Sequence, residues 1–390
     1  VETEARLTRV PWAALEGLAP LLEPPLKEIL EGAAAERVLD RLLRAHRDFT
    51  REQRAVCSES LFGVGLWRRR LRWRLEGTPL QLLAVLAREL GRYEGAERAL
   101  GLELPQLRTD SDDWRVLASF PDWIADVLIA RFGPLAEDVA HALNRPGPVC
   151  LRARNDREAL KTKLAEKGID SVLAPLAKKG LLVITPRPNL LGLGLQGEFE
   201  VQDEGSQLLG ELVGARAGED VLDLCAGAGG KSLQLASDGA RVHATDIDLE
   251  RLERLRTRAS KANLPVLIHG KEPPARRFDR VLVDAPCSEL GVLRRGPDLR
   301  WRIEPSLVKT MPALQRSLVE KGLAYLKPGG TLVYATCTLT RDENEGVIEA
   351  ILATHSVKRA REDLIVDPFH HGTDGFYGAL LERTGETQRT

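Results

Sequence analysis

The chain has 390 residues, 43% hydrophobic and 29% charged, with 56 Lys and Arg against 57 Asp and Glu. That length allows two or three domains with sizeable cores, and the charge balance excludes both a disordered polyelectrolyte and a uniformly basic protein. Any polyanion must therefore bind at local patches. No apolar run reaches the roughly 18 residues of a membrane span. The opening VETEARLTRV lacks the charged start and apolar stretch of a signal peptide, so a soluble, cytoplasmic protein without membrane contact is expected. The cysteines Cys57, Cys150, Cys225, Cys287 and Cys337 are scattered with no CxxC pair, so neither a disulfide framework nor a metal site is expected.

In chain order, apolar spacings of three and four in LKEILEGAAAERVLDRLLRAH and LQLLAVLARELGRYEGAERAL predict an all-helical domain over 1–143. Inside it, Trp67 to Arg74 place five arginines and two tryptophans in eight residues. This is either a solvated helix face with both indoles packed inward, or a nucleic-acid patch built on Arg68, Arg69 and Arg72. The run Asn144, Arg145, Pro146, Gly147, Pro148 stops the last helix. Over 149–203, VCLRARN reads as a strand, DREALKTKLAEKG as an amphipathic helix, and LLVITPRP with LGLGLQGEFEVQD as strands and turns, a small α+β insert. Its Arg152 and Arg154 either touch phosphate or are solvated. From Glu204 onward strand and helix alternate: VLDLCA, a glycine loop and helix, ARVHATDI, a long charged helix, PVLIHG, FDRVLVDAP, a helix, TLVYATCT and a final helix. That alternation predicts an α/β domain over 204–390 with a parallel-rich sheet and crossover helices.

Open α/β sheets bind ligands beyond the carboxyl ends of their strands. The loop after the first strand is Cys225, Ala226, Gly227, Ala228, Gly229, Gly230, Lys231, Ser232. A GxGxxG fingerprint from Gly227 requires glycine where Ser232 stands, and a Walker A loop ending in Gly230, Lys231, Ser232 requires glycine where Cys225 stands. Both phosphate-binding patterns fail by one residue. Asp246 lies at the end of the second strand, where a carboxylate accepts ribose hydroxyls. Close backbone approach without a phosphate cradle suits a nucleoside such as S-adenosylmethionine; a tight turn beside a solvated aspartate is the plainer reading.

The fourth strand runs into Asp284, Ala285, Pro286, Cys287, and a later one into Thr336, Cys337, Thr338, on the same sheet edge as the glycine loop. A single cysteine there reads as a small core hydrophobe. Two at one rim suit methylation at carbon 5 of a pyrimidine. That carbon is a poor nucleophile until a thiolate adds to carbon 6 and makes it enamine-like, after which the proton on carbon 5 must leave. Asp284 can hydrogen-bond the ring nitrogen and exocyclic amine of cytosine.

In their order, DLCAGAGGKS, TDID, DAPCS and YATCT resemble the motifs of the Sun-type RNA 5-methylcytosine methyltransferases, especially the bacterial small-subunit rRNA cytosine-C5 members. The resemblance implies a Rossmann-like, S-adenosyl-L-methionine-dependent methyltransferase domain over 204–390. It implies an all-α NusB-like RNA-binding domain before it and an RNA-recognition role for the 149–203 insert. Cys337 is then the nucleophile, Cys287 assists product release, Lys231 lies beside the target base, and residues 225–231 with Asp246 and Asp284 surround the cofactor. DNA cytosine methyltransferases attack with the Pro-Cys thiol instead, so the presence of both motifs favours RNA. Ala228 replaces a usual proline, Glu289 a usual glycine after Pro-Cys-Ser, and Lys271 an acidic residue that meets the adenine, a contact then expected of Glu272. Arg294, Arg295, Arg300, Trp301 and Arg302 form a stretch that the family uses near RNA, or a solvated loop. The adjacent His370 and His371 have no metal spacing and read as structural. The resulting expectation is a monomeric RNA (cytosine-5-)-methyltransferase acting on ribosomal RNA, with neither metal nor membrane partner. An RNA-binding protein whose catalysis is impaired, through Lys271 and Glu289, is the alternative, while a nicotinamide oxidoreductase is disfavoured by the missing third glycine and the rim cysteines.

Overall fold

The computed structural model describes residues 6–384 except 187 and 196. It forms two compact units, Val1–Pro146 with Val292–Glu304, and Gly147–Gly291 with Pro305–Thr390.

The first unit is helical. Thr50 caps Arg51–Leu66, its hydroxyl accepting from the Gln53 N–H while Gln53 Oε1 accepts from the Thr50 N–H; Thr78 and Gln81 repeat this at Pro79–Val85. Such reciprocal caps satisfy donors that a helix start otherwise leaves unpaired. The stretch LKEILEGAAAERVLDRLLRAH spans two helices, Ala19–Leu30 and Ala35–Ala45, with Gly32 at φ +108° between them. Leu22, Leu26, Val56, Leu61, Val64, Trp67 and Leu86 pack the core. Trp67 is buried, whereas Trp73 on the helix Arg68–Arg74 is 41% exposed. Six residues turn a helix by about 240° net, so Trp73 points away from the face that buries Trp67 and Leu71. Of the two readings of this stretch, the one with both indoles packed inward fails for Trp73.

The second unit carries two sheets. The smaller is antiparallel, in the order β2 (Ser171–Leu173), β3 (Gly180–Val183), β1 (Val149–Ala153), β4 (Phe199–Val201). The helix Arg157–Glu166 accompanies it, capped where Asp156 accepts the Ala159 N–H. Arg152 is neither solvated nor free for phosphate. It is buried, with Nε donating to Gln202 Oε1 at 3.0 Å, and Arg154 Nη1 donates to the Ala262 carbonyl.

The larger sheet has the order β10 (Val357–Arg359), β12 (Phe376–Arg383), β9 (Leu326–Thr336), β8 (Phe278–Asp284), β5 (Asp220–Asp223), β6 (Arg241–Ala244), β7 (Val266–Ile268), with β11 (Leu364–Val366) also paired to β12. The strands from β7 through β9 are mutually parallel, and β10 to β12 pair antiparallel at the far side. The parallel-rich α/β architecture expected from the alternation is present. Apolar side chains such as Leu222, Val281, Val283, Leu332, Tyr334 and Ile348 form its core. Strand order reverses between β5 and β8, which opens a crevice at their carboxyl ends. No helix among the described residues is long and apolar enough to cross a membrane.

Candidate cofactor and thiol site

Beyond β5 the chain turns through Gly227 at φ +53° and Gly229 at φ +86° into the helix Gly230–Ser237. A Cβ on Gly229 would lie 2.1 Å from Leu255 Cδ1, whereas one on Gly227 or Gly230 would enter open space. That space belongs to a cavity of ≈ 580 Å³, within the roughly 300–1,000 Å³ usual for small-molecule sites. Asp246, just beyond β6, accepts the Gly227 N–H through Oδ2 and the Asp248 N–H through Oδ1, both at 2.8 Å. A carboxylate has about four acceptor positions, so two remain for a diol. Residues 225–231, Asp246 and Asp284 all line the cavity. Glycine floor, diol acceptor and absence of a complete phosphate cradle fit an adenosyl nucleoside with a zwitterionic amino-acid tail.

The sequence reading missed the apolar part of this wall. Ile247 is 83% exposed, and Leu314 with Leu318 lies one turn apart on Pro305–Ala324. An isoleucine directly after the strand-end carboxylate, with nothing to bury it, is the signal that was available. Lys271 and Lys321 line the cavity, but Glu272 does not among the described residues: its carboxylate pairs with Lys321 Nζ at 2.7 Å, and its side chain is 73% exposed. The adenine contact expected to pass to Glu272 is therefore not placed there.

β8 and β9 are parallel neighbours with Asp284 opposite Ala335, so the loops leaving them start side by side. This brings Cys287 Sγ to 3.3 Å from Cys337 Sγ on the cavity wall. Lys231, from the helix after the glycine loop, donates Nζ to Asp284 Oδ2 at 2.7 Å. Burial pulls the Lys231 pKa down, but the charge and hydrogen bond of Asp284 outweigh it and hold the ammonium above its ordinary value. The hydrogen bond to Cys287, burial, and the charges of Cys287, Glu289 and Asp284 raise the Cys337 thiol well above its ordinary value. Cys225 is also raised, by burial and then by Asp223, Asp284 and Asp246. Asp223, fully enclosed and accepting from Ser232 Oγ at 2.6 Å, is pushed up to about 7, chiefly by burial. Glu289 adopts φ +59°, a left-handed conformation that favours glycine. The buried Glu343 and Gln315, absent from the sequence reading, brace these loops: Gln315 Nε2 donates to both Pro286 O and Glu343 Oε2 at 2.9 Å.

The arginines divide. Arg69 Nη1 pairs with Asp122 Oδ1 at 2.7 Å and also donates to the Phe120 carbonyl. Arg68 and Arg72 line a separate cavity of ≈ 570 Å³ within the helical unit. Arg300, expected near RNA, is instead fully buried, donates to Asn144 Oδ1 at 2.7 Å and lies 4.0 Å over the Phe120 ring. Burial pulls its pKa down to about 9. An enclosed guanidinium holding one unit together does not meet RNA. Arg302 pairs with Asp298 at 2.8 Å, Arg295 is exposed and Arg294 half-buried. His370 and His371 sit in a turn around Asp367, with His370 Nδ1 2.9 Å from its carboxylate.

The family model described as "16S rRNA methyltransferase RsmB/F" matches residues 212–382, and a "Methyltr_RsmF/B-like, ferredoxin-like domain" matches 120–189. The ribosomal RNA small subunit methyltransferase B of Thermus thermophilus is 34% identical over 307 residues, covering 75% of this chain and 72% of that protein. Its namesake in Erwinia tasmaniensis is 32% identical over 379 residues, covering 89% and 86%. Among solved structures, a methyltransferase homologue protein from Pyrococcus horikoshii superposes with a TM-score of 0.62 at 27% identity, covering 70% of this chain and 98% of its own. The chain thus belongs to the 16S rRNA methyltransferase RsmB/F family, and is an S-adenosylmethionine-dependent methyltransferase.

Proposed function

We propose that the chain methylates carbon 5 of a cytosine in ribosomal RNA through a transient bond between Cys337 Sγ and carbon 6 of the base. The observation that carries this reading is the 3.3 Å approach of two thiols on the wall of the cofactor cavity, beside a lysine–carboxylate pair. The relatives' printed names support a ribosomal RNA substrate. Bound S-adenosylmethionine, held by residues 225–231 and Asp246, supplies an electrophilic methyl group.

Cys337 must first lose its proton to solvent, since its surroundings favour the thiol, and Cys287 gives up its own proton to solvent once Cys337 is bonded to the base. The thiolate then forms the S–C6 bond, and the electrons of the C5–C6 double bond become available at carbon 5 for the new bond to methyl. Asp284 accepts from the exocyclic amine of cytosine, and Lys231 fixes that carboxylate while placing positive charge beside the base. Cys287 as thiolate takes the proton from carbon 5; those electrons re-form the ring double bond and the S–C6 bond breaks. We assign RNA contact to the helical unit and the four-stranded sheet.

Small-subunit rRNA incubated with the protein and S-adenosylmethionine, then sequenced after bisulfite treatment, is expected to show a protected cytosine. Methyl incorporation without any protected cytosine would overturn the carbon-5 chemistry.

A further inference from the structure

On and around the helix Arg68–Arg74, three arginines meet carboxylates within the helical unit: Arg69 with Asp122, Arg70 with Asp110 at 2.6 Å, and Arg74 with Glu89 at 2.7 Å. Arg68, Arg72 and Arg108 have no carboxylate partner among the described residues, and these three converge on the ≈ 570 Å³ cavity. With Arg69 they outnumber the Glu76 and Asp113 carboxylates on the same wall, which leaves a net positive field that a bound anion would neutralise. Burial and the neighbouring charge of Arg72 both lower the Arg68 pKa.

Two indoles line the same cavity. Trp73 is 41% exposed, and its Nε1 donates to the Thr109 carbonyl at 3.1 Å. Trp301 donates Nε1 to the Gly65 carbonyl at 2.7 Å and has the Arg68 guanidinium 5.6 Å from its ring centre. Both N–H groups are spent on backbone, so what the rings offer a ligand is their apolar faces, already fixed in orientation. A tethered aromatic loses little conformational entropy on stacking. Glu76 and Asp113 also line the cavity, which sets it apart from a purely anionic site and leaves acceptors for amine-bearing base edges.

We propose that this cavity holds one unpaired nucleotide of the RNA, its phosphates among Arg68, Arg72 and Arg108 and its base against Trp73, the more exposed of the two indoles, an assignment that rests on RNA being the substrate. Stacking on an indole requires a base outside a duplex, so the pocket selects a loop, bulge or single strand. Arg69 also lines the cavity, but its guanidinium is already paired with Asp122 and is not assigned a phosphate.

The test is binding of the full chain, without S-adenosylmethionine, to a fluorescent single-stranded oligoribonucleotide across a salt series, with a fully paired duplex as comparison. Combined Arg68→Ala, Arg72→Ala and Arg108→Ala should lower affinity and flatten the slope of log affinity against log salt by about 1.4, at about 0.7 for each of the nucleotide's two flanking phosphates. Trp73→Ala should weaken binding roughly 5- to 150-fold with the slope unchanged. Arg41→Ala, which breaks only the pair with Glu28, should change neither. If the triple variant melts earlier than the wild type, Arg72→Gln and Trp73→Leu replace it. A retained slope, an affinity indifferent to Trp73, or equal binding of the duplex would each overturn the nucleotide pocket. Methylation of rRNA by the wild type separates the two readings: if no RNA is methylated, the substrate reading fails. If RNA is methylated but these variants bind as well as the wild type, only the pocket fails.

Discussion

Glu343 Oε2 accepts the backbone N–H of Ser288 at 2.9 Å while its Oε1 accepts the Ser288 hydroxyl, so one buried carboxylate grips the residue that follows Cys287. Oε1 also accepts from Thr340 Oγ1 at 2.9 Å, and the Ser288 hydroxyl lies 2.7 Å from that of Thr338, the residue after Cys337. The loops bearing the two thiols are thereby tied to one another. Glu343→Gln turns one acceptor into a donor facing the Ser288 N–H. Hydrogen bonds to charged groups contribute about 1.5–3 kcal/mol each, so a loss of that order is expected in urea unfolding. Unchanged stability would show that the carboxylate does not brace the loops.

Glu289 puts a second carboxylate near Cys337 and is one of the charges that raise its thiol. A raised thiol pKa leaves less thiolate at a given pH, so adduct formation should increase with pH into the alkaline range. Glu289→Gln removes the charge and keeps the backbone, and should move the single-turnover pH profile to lower pH. Stopped-quench kinetics across pH 6–10 checks this; a profile that stays in place would exclude Glu289 from thiol control.

Asp223 couples stability to pH. Its folded pKa, pushed up to about 7, lies above the roughly 3.9 of an unfolded chain, so the folded state binds the extra proton between those values. The contribution is complete below about pH 4 and is lost as pH rises through about 7. Asp223→Asn cannot ionise, so its melting temperature relative to the wild type should rise from pH 5 to pH 8. A difference that is flat with pH would contradict the enclosed, protonated carboxyl.

Asp246 serves both loop and ligand. Losing a charge-assisted hydrogen bond costs about 1.5–3 kcal/mol, or roughly 10- to 150-fold in affinity. Asp246→Ala should weaken S-adenosylmethionine by that factor in calorimetry and leave RNA affinity nearly intact. Unchanged cofactor affinity would remove its ribose role.

Particular residues explain how much of this was legible in the sequence. Strands β5 to β9 stood out because each is an apolar run followed by a turn, and the thiols could be paired because they follow adjacent strands of such a sheet. The antiparallel β10, β11 and β12 beyond the last expected helix did not stand out: β10 is two-thirds basic, and β12, though eight residues long, is buried along most of its length and shows no alternation. The glycine loop carries its own conformational signal at Gly227 and Gly229. Long-range pairing does not: Asp284 is 53 residues from Lys231, and Asn144 is 156 from Arg300. An arginine run therefore looks uniform in sequence, although tertiary partners spend Arg69, Arg70 and Arg74 and leave Arg68 and Arg72 facing a cavity. Glu343, inside RDENE, likewise reads as a solvated helix start until the fold encloses it.

The division of labour between the two thiols is tested most directly on a denaturing gel of protein incubated with rRNA and S-adenosylmethionine. With Cys337 as nucleophile and Cys287 as the base that permits release, Cys287→Ala should accumulate a protein–RNA band that survives denaturant, and Cys337→Ala should give neither band nor methylation. Cys225, whose thiol is also raised, should never carry the adduct, so Cys225→Ala should behave as the wild type in trapping. A stable band from Cys337→Ala and none from Cys287→Ala would contradict the account.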